Sequence, residues 1–303
     1  MDWTALRQSE LGEEVKLVLP PSLKLPMLPR AVIEFSKKAD DPDASARELG
    51  GIIESDAGLT CELLKHVNSC AVGVRGKVSS SQQAISLLGI RTVKLFVATS
   101  AVKQAMSSRD SKLINFQVFW NTNLERALFA REVAKLLGAE PDVAFAGGML
   151  QDFLLPVLTS EILDPYLKFS EQQDRNPVRL DQFEQAAFGW EHSQAAAQIM
   201  FGWGFPDDLI CCTLLHHRGI KILADKKPTA AEAVAVAALM PDSFRQVPDG
   251  LEQLTQLEKT WPKFDLLSLA NAVHDEFQKV SPGTAANHFT FLRRCEKALQ
   301  VAN

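Results

Sequence analysis

"AGGMLQDFLLPVL", Ala146 to Leu158, is an apolar run with a glutamine and an aspartate at its centre. An aspartate is almost never fully buried without a partner, so a helix that is apolar on both sides of Gln151-Asp152 must carry this pair to something that answers it. Upstream, "FQVFWNTNLERALFAREVAKLL" sets Phe116, Phe119, Trp120, Leu124, Ala127, Leu128, Val133 and Leu137 close to a 3.6-residue period, and Gly138 follows as a stop. The spacing predicts a long amphipathic helix. Pro141-Asp142 then opens the helix that holds Gln151-Asp152. Further helices are predicted over Gln182 to Phe188, His192 to Phe201 and Pro206 to His217, while Glu171 to Gln182 reads as a polar loop. Strand-like alternation is nowhere sustained, and the expected class is all-α.

The same grammar holds on either side. Ser45-Ala-Arg-Glu48 has the form of a capping box, with Leu49, Ile52 and Ile53 behind it. Ser55-Asp56 stops that helix and starts another, whose apolar face is Leu59, Leu63, Leu64 and Val67. Ser80 to Gln83 fits a further box that ends at Gly89. Beyond Pro228, Thr229-Ala-Ala-Glu232 caps a helix that runs to Pro241, and helical segments are predicted over Leu251 to Trp261, Leu266 to Val280 and Ala285 to Val301.

The 303 residues, 46% hydrophobic, can bury a sizeable core. A net charge of -5 and a pI near 5.7 give no whole-chain attraction to nucleic acid or anionic membrane. The first residues lack a basic region followed by an apolar one, and no window of about 18 uninterrupted apolar residues occurs, so a cytoplasmic protein without a membrane span is expected. Cys61, Cys70, Cys211, Cys212 and Cys295 form no CxxC spacing, and most are expected to be packing residues. Trp190, Trp203 and Phe205 are expected to plug the core at helix ends.

No GxSxG, GxxxxGK[ST], GxGxxG after a strand or HExxH is present. What remains is a histidine set. His192 in "FGWEHSQ" and His216-His217 at the end of "DDLICCTLLHHRG" could surround one cavity with Asp152. Against that stands a plainer reading, in which a histidine pair at a helix C-terminus answers the helix dipole.

The segments "LPMLPRAVIEFSKKADDPDASARELGGIIESDAGLTCELLKHVNSC", "SSSQQAISLLGIRTVKLFVATSAV", "FWNTNLERALFA", "AGGMLQDFLLPVL", "FEQAAFGWEHSQAAAQIMFGWGFP" and "LLHHRG" together resemble the HDOD family, the HD-related output domains of bacterial signalling proteins. The likeness covers roughly Pro20 to Gly219. It implies a multi-helix HD-like bundle, with an N-terminal segment over 1–19, the domain over 20–225 (a helical subdomain to about 110, the bundle from about 111) and a C-terminal helical extension over 226–303. The related HD hydrolases place a His in the long helix and a His-Asp pair in the next. By that resemblance Thr122 and Gln151 stand where two imidazoles are lost, and Asp152, His192, His216 and His217 remain. A hydroxyl and an amide are poor ligands for a transition metal. The resemblance therefore implies a non-catalytic regulatory or scaffold module with no cofactor, partnered by a sensor kinase, a response regulator or a cyclic-di-nucleotide enzyme. Were a metal held at all, Asp152, His192, His216 and His217 would hold it, and a metal-dependent phosphohydrolase or phosphodiesterase is the alternative.

A third reading rests on charge. Between Ala57 and Ser108, Lys65, Arg75, Lys77, Arg91, Lys94 and Lys103 face the single acid Glu62, a local charge of +5. Arg75, Lys77, Arg91 and Lys94 are candidates for phosphate or partner binding, but a solvated basic face is the simpler expectation. No aromatic residue interleaves with these cations before Phe96, which argues against single-strand stacking.

Overall fold

A computed structural model describes residues 1–70, 77–107, 111–222, 227–281 and 288–301, and among these it contains helices and no strand. Two compact units divide the chain, one of Leu25–Ser108 with Gly202–Phe205, the other of Met1–Lys24, Arg109–Phe201 and Pro206–Asn303.

In the smaller unit the capping signals act where the sequence puts them. Ser45 Oγ accepts from the Glu48 amide at 3.2 Å while the Ser45 amide donates to Glu48 Oε2 at 3.0 Å, and the helix Ala46–Glu54 follows. Ser55-Asp56 separates it from Ala57–Cys70, and Ser80 caps Ser81–Leu88. Phe35, Leu49, Ile53, Leu63 and Val67 are fully buried and form its core. Lys94 is not a free cation. It lies on the helix Ile90–Met106 with only 6% of its surface exposed and bonds Asp40 Oδ1 at 2.5 Å. Its amine is taken up by the exposed carboxylate of Asp40, so the expectation of a free phosphate ligand here is corrected to an ion pair on a buried lysine stem. Lys77 and Arg91 are exposed, and Arg75 lies outside the described residues.

In the larger unit the long helix Phe116–Leu137 is the spine. Asn115 caps its start, and Gly138, at φ 67°, closes it in the left-handed conformation that glycine adopts without strain. Against it pack Pro141–Leu150, Ala230–Ala237 and Leu266–Val280. The described residues of 227–301 therefore belong to the same compact body as the central helices, and Ala230, Ala231, Ala233, Val234 and Ala237 are among its buried residues. The N-terminal helix Trp3–Leu11 joins this unit through Arg7, whose Nε bonds Asp207 Oδ1 at 2.6 Å. A helix over Leu163–Gln172 was not anticipated by the sequence reading, and the loop after it is correspondingly shorter. By length and composition Pro141–Glu161 could cross a membrane, yet 89% of its apolar window is buried within the protein. That is the behaviour of a core segment.

Gly148 sets the closest approach to the spine. A Cβ there would meet Ala127 Cα at 2.8 Å and Ala127 N at 3.0 Å, both backbone atoms that cannot turn aside. Overpacking of this kind costs about 1–3 kcal/mol, and alanine's better helix propensity offsets up to ~1 kcal/mol of it. Gly148→Ala is expected to lose about 1–2 kcal/mol in urea denaturation. An unchanged midpoint would show that the two helices separate freely.

Candidate metal centre

Gln151-Asp152 does not lie in mid-helix as the periodicity predicts. The helix Pro141–Leu150 ends just before the pair, and Leu155–Glu161 begins just after it. The cause is local: Pro156 has no amide hydrogen to donate to the carbonyl of Asp152, which accepts instead from the Leu155 amide at 3.0 Å. The resulting turn aims both carboxylate oxygens of Asp152 into the interior, where the residue is fully buried.

Asp152 Oδ1 faces imidazoles, lying 3.3 Å from both His192 Nε2 and His216 Nε2. His192 Nε2 is in turn 3.2 Å from His216 Nε2 and 3.2 Å from His217 Nε2. One donor atom from each of these four residues lies within 4.8 Å of every other. His192 heads the helix His192–Gly202, and His216 and His217 occupy the turn after Asp207–Leu215. His192 and His216 are buried and His217 is half-buried.

The outer nitrogens identify what the inner ones present. His192 Nδ1 lies 2.7 Å from Glu184 Oε2, and His216 Nδ1 lies 2.6 Å from the carbonyl oxygen of Thr213. Both partners only accept, so each Nδ1 carries a hydrogen, and an Nε2 that carries none turns its lone pair inward. Two ring nitrogens 3.2 Å apart repel unless a proton or a metal ion lies between them. Edges of about 3.3–3.4 Å are what a tetrahedral ion imposes with bonds of ~2.0–2.1 Å, and the donor set of three imidazoles and a carboxylate suits a zinc-like ion.

Charge points the same way. Asp152, Glu184 and Asp242 bring three carboxylates to the centre, with the guanidinium of Arg126 on two of them and that of Arg179 at the edge, its Nη2 on the His217 carbonyl at 3.4 Å. Burial opposes charge on His192, but the Glu184 carboxylate and the hydrogen bonds to Asp152 and Glu184 outweigh it and hold the imidazole up at about 10. The same burial works on Asp152, where Arg126 and the two histidines outweigh it and keep the carboxyl well below the usual range. Burial, followed by the neighbouring His216 and His192, drives His217 well below the ordinary histidine value. One proton on His192 can serve one neighbour at a time; a divalent ion serves all four donors and balances more of the charge.

Several residues here escaped the sequence reading. Glu184 is fully buried, accepting from the Tyr166 hydroxyl at 2.7 Å and from the His192 amide at 2.8 Å; Tyr166 is the single tyrosine of the chain. Arg126 bonds Asp152 Oδ2 through Nη1, and through Nη2 bonds Asp242 Oδ2 at 2.6 Å and the Met240 carbonyl at 3.2 Å. Gln246 Nε2 donates to Asp152 Oδ2 at 3.0 Å. The signal that could have found Arg126 is the same anomaly as at Gln151-Asp152, a charged pair, Glu125-Arg126, inside an apolar helical run. Of the two positions read as lost ligands, Gln151 donates to Asp152 Oδ2 at 3.2 Å, while Thr122 turns its hydroxyl back to the Val118 carbonyl at 3.0 Å. The remaining aromatics pack: Trp190 stacks on Phe188, and Phe205 is buried.

An all-helical body with a buried histidine–aspartate centre at a break between helices is the architecture of the HD-like domains. The HDOD domain profile matches residues 25–241, and the chain belongs to that family. Among solved structures it is similar to a protein of Shewanella amazonensis SB2B provisionally named a phosphohydrolase, at 22% identity, with a TM-score of 0.65 and coverage of 84% of this chain and 92% of that one. An HDOD domain protein of Geobacter sulfurreducens gives 17% identity and a TM-score of 0.57 over 92% and 90% of the two chains. A protein of Marinobacter aquaeolei VT8 provisionally named a signal transduction protein gives 20% identity and a TM-score of 0.57 over 92% and 66%. These likenesses establish the fold. An uncharacterized protein of Treponema pallidum (strain Nichols) is 23% identical over 195 residues, 64% of this chain, and the match spans only 37% of that relative's length.

Proposed function

We propose that this chain is a signalling module that acts by binding partners and not by hydrolysis, and that its centre holds one divalent transition metal through Asp152, His192, His216 and His217. The observation that carries the metal is the convergence of their donor atoms, four of the six separations being 3.2–3.3 Å and all within 4.8 Å, with the outer nitrogens of His192 and His216 held by acceptors. Four protein donors complete a tetrahedral ion, the pattern of structural sites; hydrolytic sites keep a position open for water. The role of the metal is then to hold the His192 helix, the turn after Asp207–Leu215 and the 151–154 turn as one rigid body that partners recognise. A sensor kinase, a response regulator or a cyclic-di-nucleotide enzyme are the partner classes the family resemblance favours. A cytoplasmic setting accords with the free Cys61, Cys211, Cys212 and Cys295.

The test is elemental analysis after loading with zinc and desalting, paired with thermal denaturation with and without chelator. About one equivalent is expected, and free zinc at a thousand times its Kd should add ~4 kcal/mol of stability. His217→Ala should abolish both effects while sparing the Arg126–Asp152 pair. Less than about a tenth of an equivalent would overturn the metal reading. Turnover of bis(p-nitrophenyl) phosphate in excess Mn²⁺, lost in His217→Ala, would replace the binding module with a phosphohydrolase.

A further inference from the structure

The two oxygens of Asp152 have different surroundings. Oδ1 faces the histidines, while Oδ2 receives Arg126 Nη1, Gln246 Nε2 and Gln151 Nε2. The guanidinium is thereby held between the carboxylates of Asp152 and Asp242 and against the Met240 carbonyl, with Arg126 only 1% exposed. Around it, the amide oxygens Gln151 Oε1 and Gln246 Oε1 are buried without a hydrogen-bond partner. Thr122, Arg126, Asp242 and Gln246 also line a cavity of about 10 Å³, room for roughly one water.

We propose that Arg126 is a built-in second cation: its guanidinium takes the place of a second divalent ion on Asp152 and restricts the centre to one exchangeable metal. Without the Arg126 side chain, the space is bordered by Asp152 Oδ2, Asp242 Oδ2 and the Met240 carbonyl, with Gln151 and Gln246 able to turn their free amide oxygens inward. This is an all-oxygen set, the donors that hard cations such as Mn²⁺ or Mg²⁺ take. A guanidinium satisfies the two carboxylate oxygens and the carbonyl with hydrogen bonds, does not lose its proton and cannot dissociate from the chain. It also cannot acidify a bound water. Arg126 is thus a positioning residue that pins Asp152, so that Oδ1 alone remains for an ion. The count of one metal rests on the reading of the histidine side given above; the oxygen side stands on its own contacts.

The experiment is Mn²⁺ binding to zinc-loaded protein, followed by the loss of the free-ion EPR signal. Wild type is expected to take up no Mn²⁺ beyond its zinc, and Arg126→Ala one further equivalent. That equivalent should vanish in Arg126→Ala/Asp242→Asn, persist in Arg126→Ala/His217→Ala, and be displaced by millimolar guanidinium. Arg126→Lys, which keeps a tethered charge, should exclude Mn²⁺ as wild type does. Folded Arg126→Ala that binds no more Mn²⁺ than wild type, or wild type that takes the extra equivalent itself, overturns the proposal. Should Arg126→Ala unfold in plain buffer, recovery of its thermal transition by Mn²⁺ or guanidinium supports the proposal, and recovery by neither overturns it. Zinc missing from wild type, combined with Asp242-dependent Mn²⁺ uptake in Arg126→Ala, would refute the metal reading and leave Arg126 in its assigned role.

Discussion

Asp152→Ala is expected to lower stability by about 3–5 kcal/mol, the cost of leaving one member of a buried ion pair without its partner. Arg126 would keep Asp242 and the Met240 carbonyl but lose its contact with Oδ2, and Gln151 and Gln246 would each lose the acceptor they now share. The histidines would at the same time lose the Oδ1 that faces them, so metal content should fall with stability. Urea denaturation of chelated protein separates the two effects, because chelated wild type has already lost the metal contribution. In that medium Asp152→Asn should cost less than alanine, since an amide oxygen still accepts from Arg126. A loss below ~1 kcal/mol for alanine would mean that Asp242 alone satisfies the guanidinium.

Glu125→Ala should be comparably severe, for a reason on a different face of the same helix turn. Glu125 is fully buried, and its carboxylate accepts from His288 Nε2 at 2.8 Å, from the Phe291 amide at 2.6 Å and from Arg294 Nη2 at 3.3 Å. These bonds fasten the start of the helix Phe291–Val301 to the spine, and Phe291 packs edge-on against Phe129 beneath them. Removal of the carboxylate strands a buried amide and an arginine together, and about 3–5 kcal/mol is expected. Hydrogen exchange should show the amides of 291–301 losing protection before the rest of the unit. Glu125→Gln keeps an acceptor for the Phe291 amide and should retain most of that protection. Uniform loss across the unit would instead mean that this helix is integral to global folding.

Glu125 and Arg126 are neighbours in sequence with separate tasks. Consecutive residues on a helix point about 100° apart, so Glu125 reaches the C-terminal helix while Arg126 reaches Asp152. Arg294 also donates to the Pro241 carbonyl, next to the Asp242 that grips Arg126. The C-terminal helix and the centre thus share a short stretch of backbone.

The sequence by itself determined the helices and many of their ends. Ser45, Ser80 and Thr229 cap helices in the structure, and Leu266–Val280 has the bounds its periodicity predicts, because caps and apolar periods act within one or two turns of chain. The resemblance singled out Asp152, His192, His216 and His217, which the fold brings together. The tertiary structure alone decided what answers their charge. Arg126 meets an aspartate 116 residues away, Asp152 meets a glutamine 94 residues away, and Lys94 meets Asp40 across 54 residues. No local pattern encodes such pairs. A buried charge announces that it needs a partner, but which partner it finds depends on how helices pack, and packing joins residues without regard to their separation along the chain.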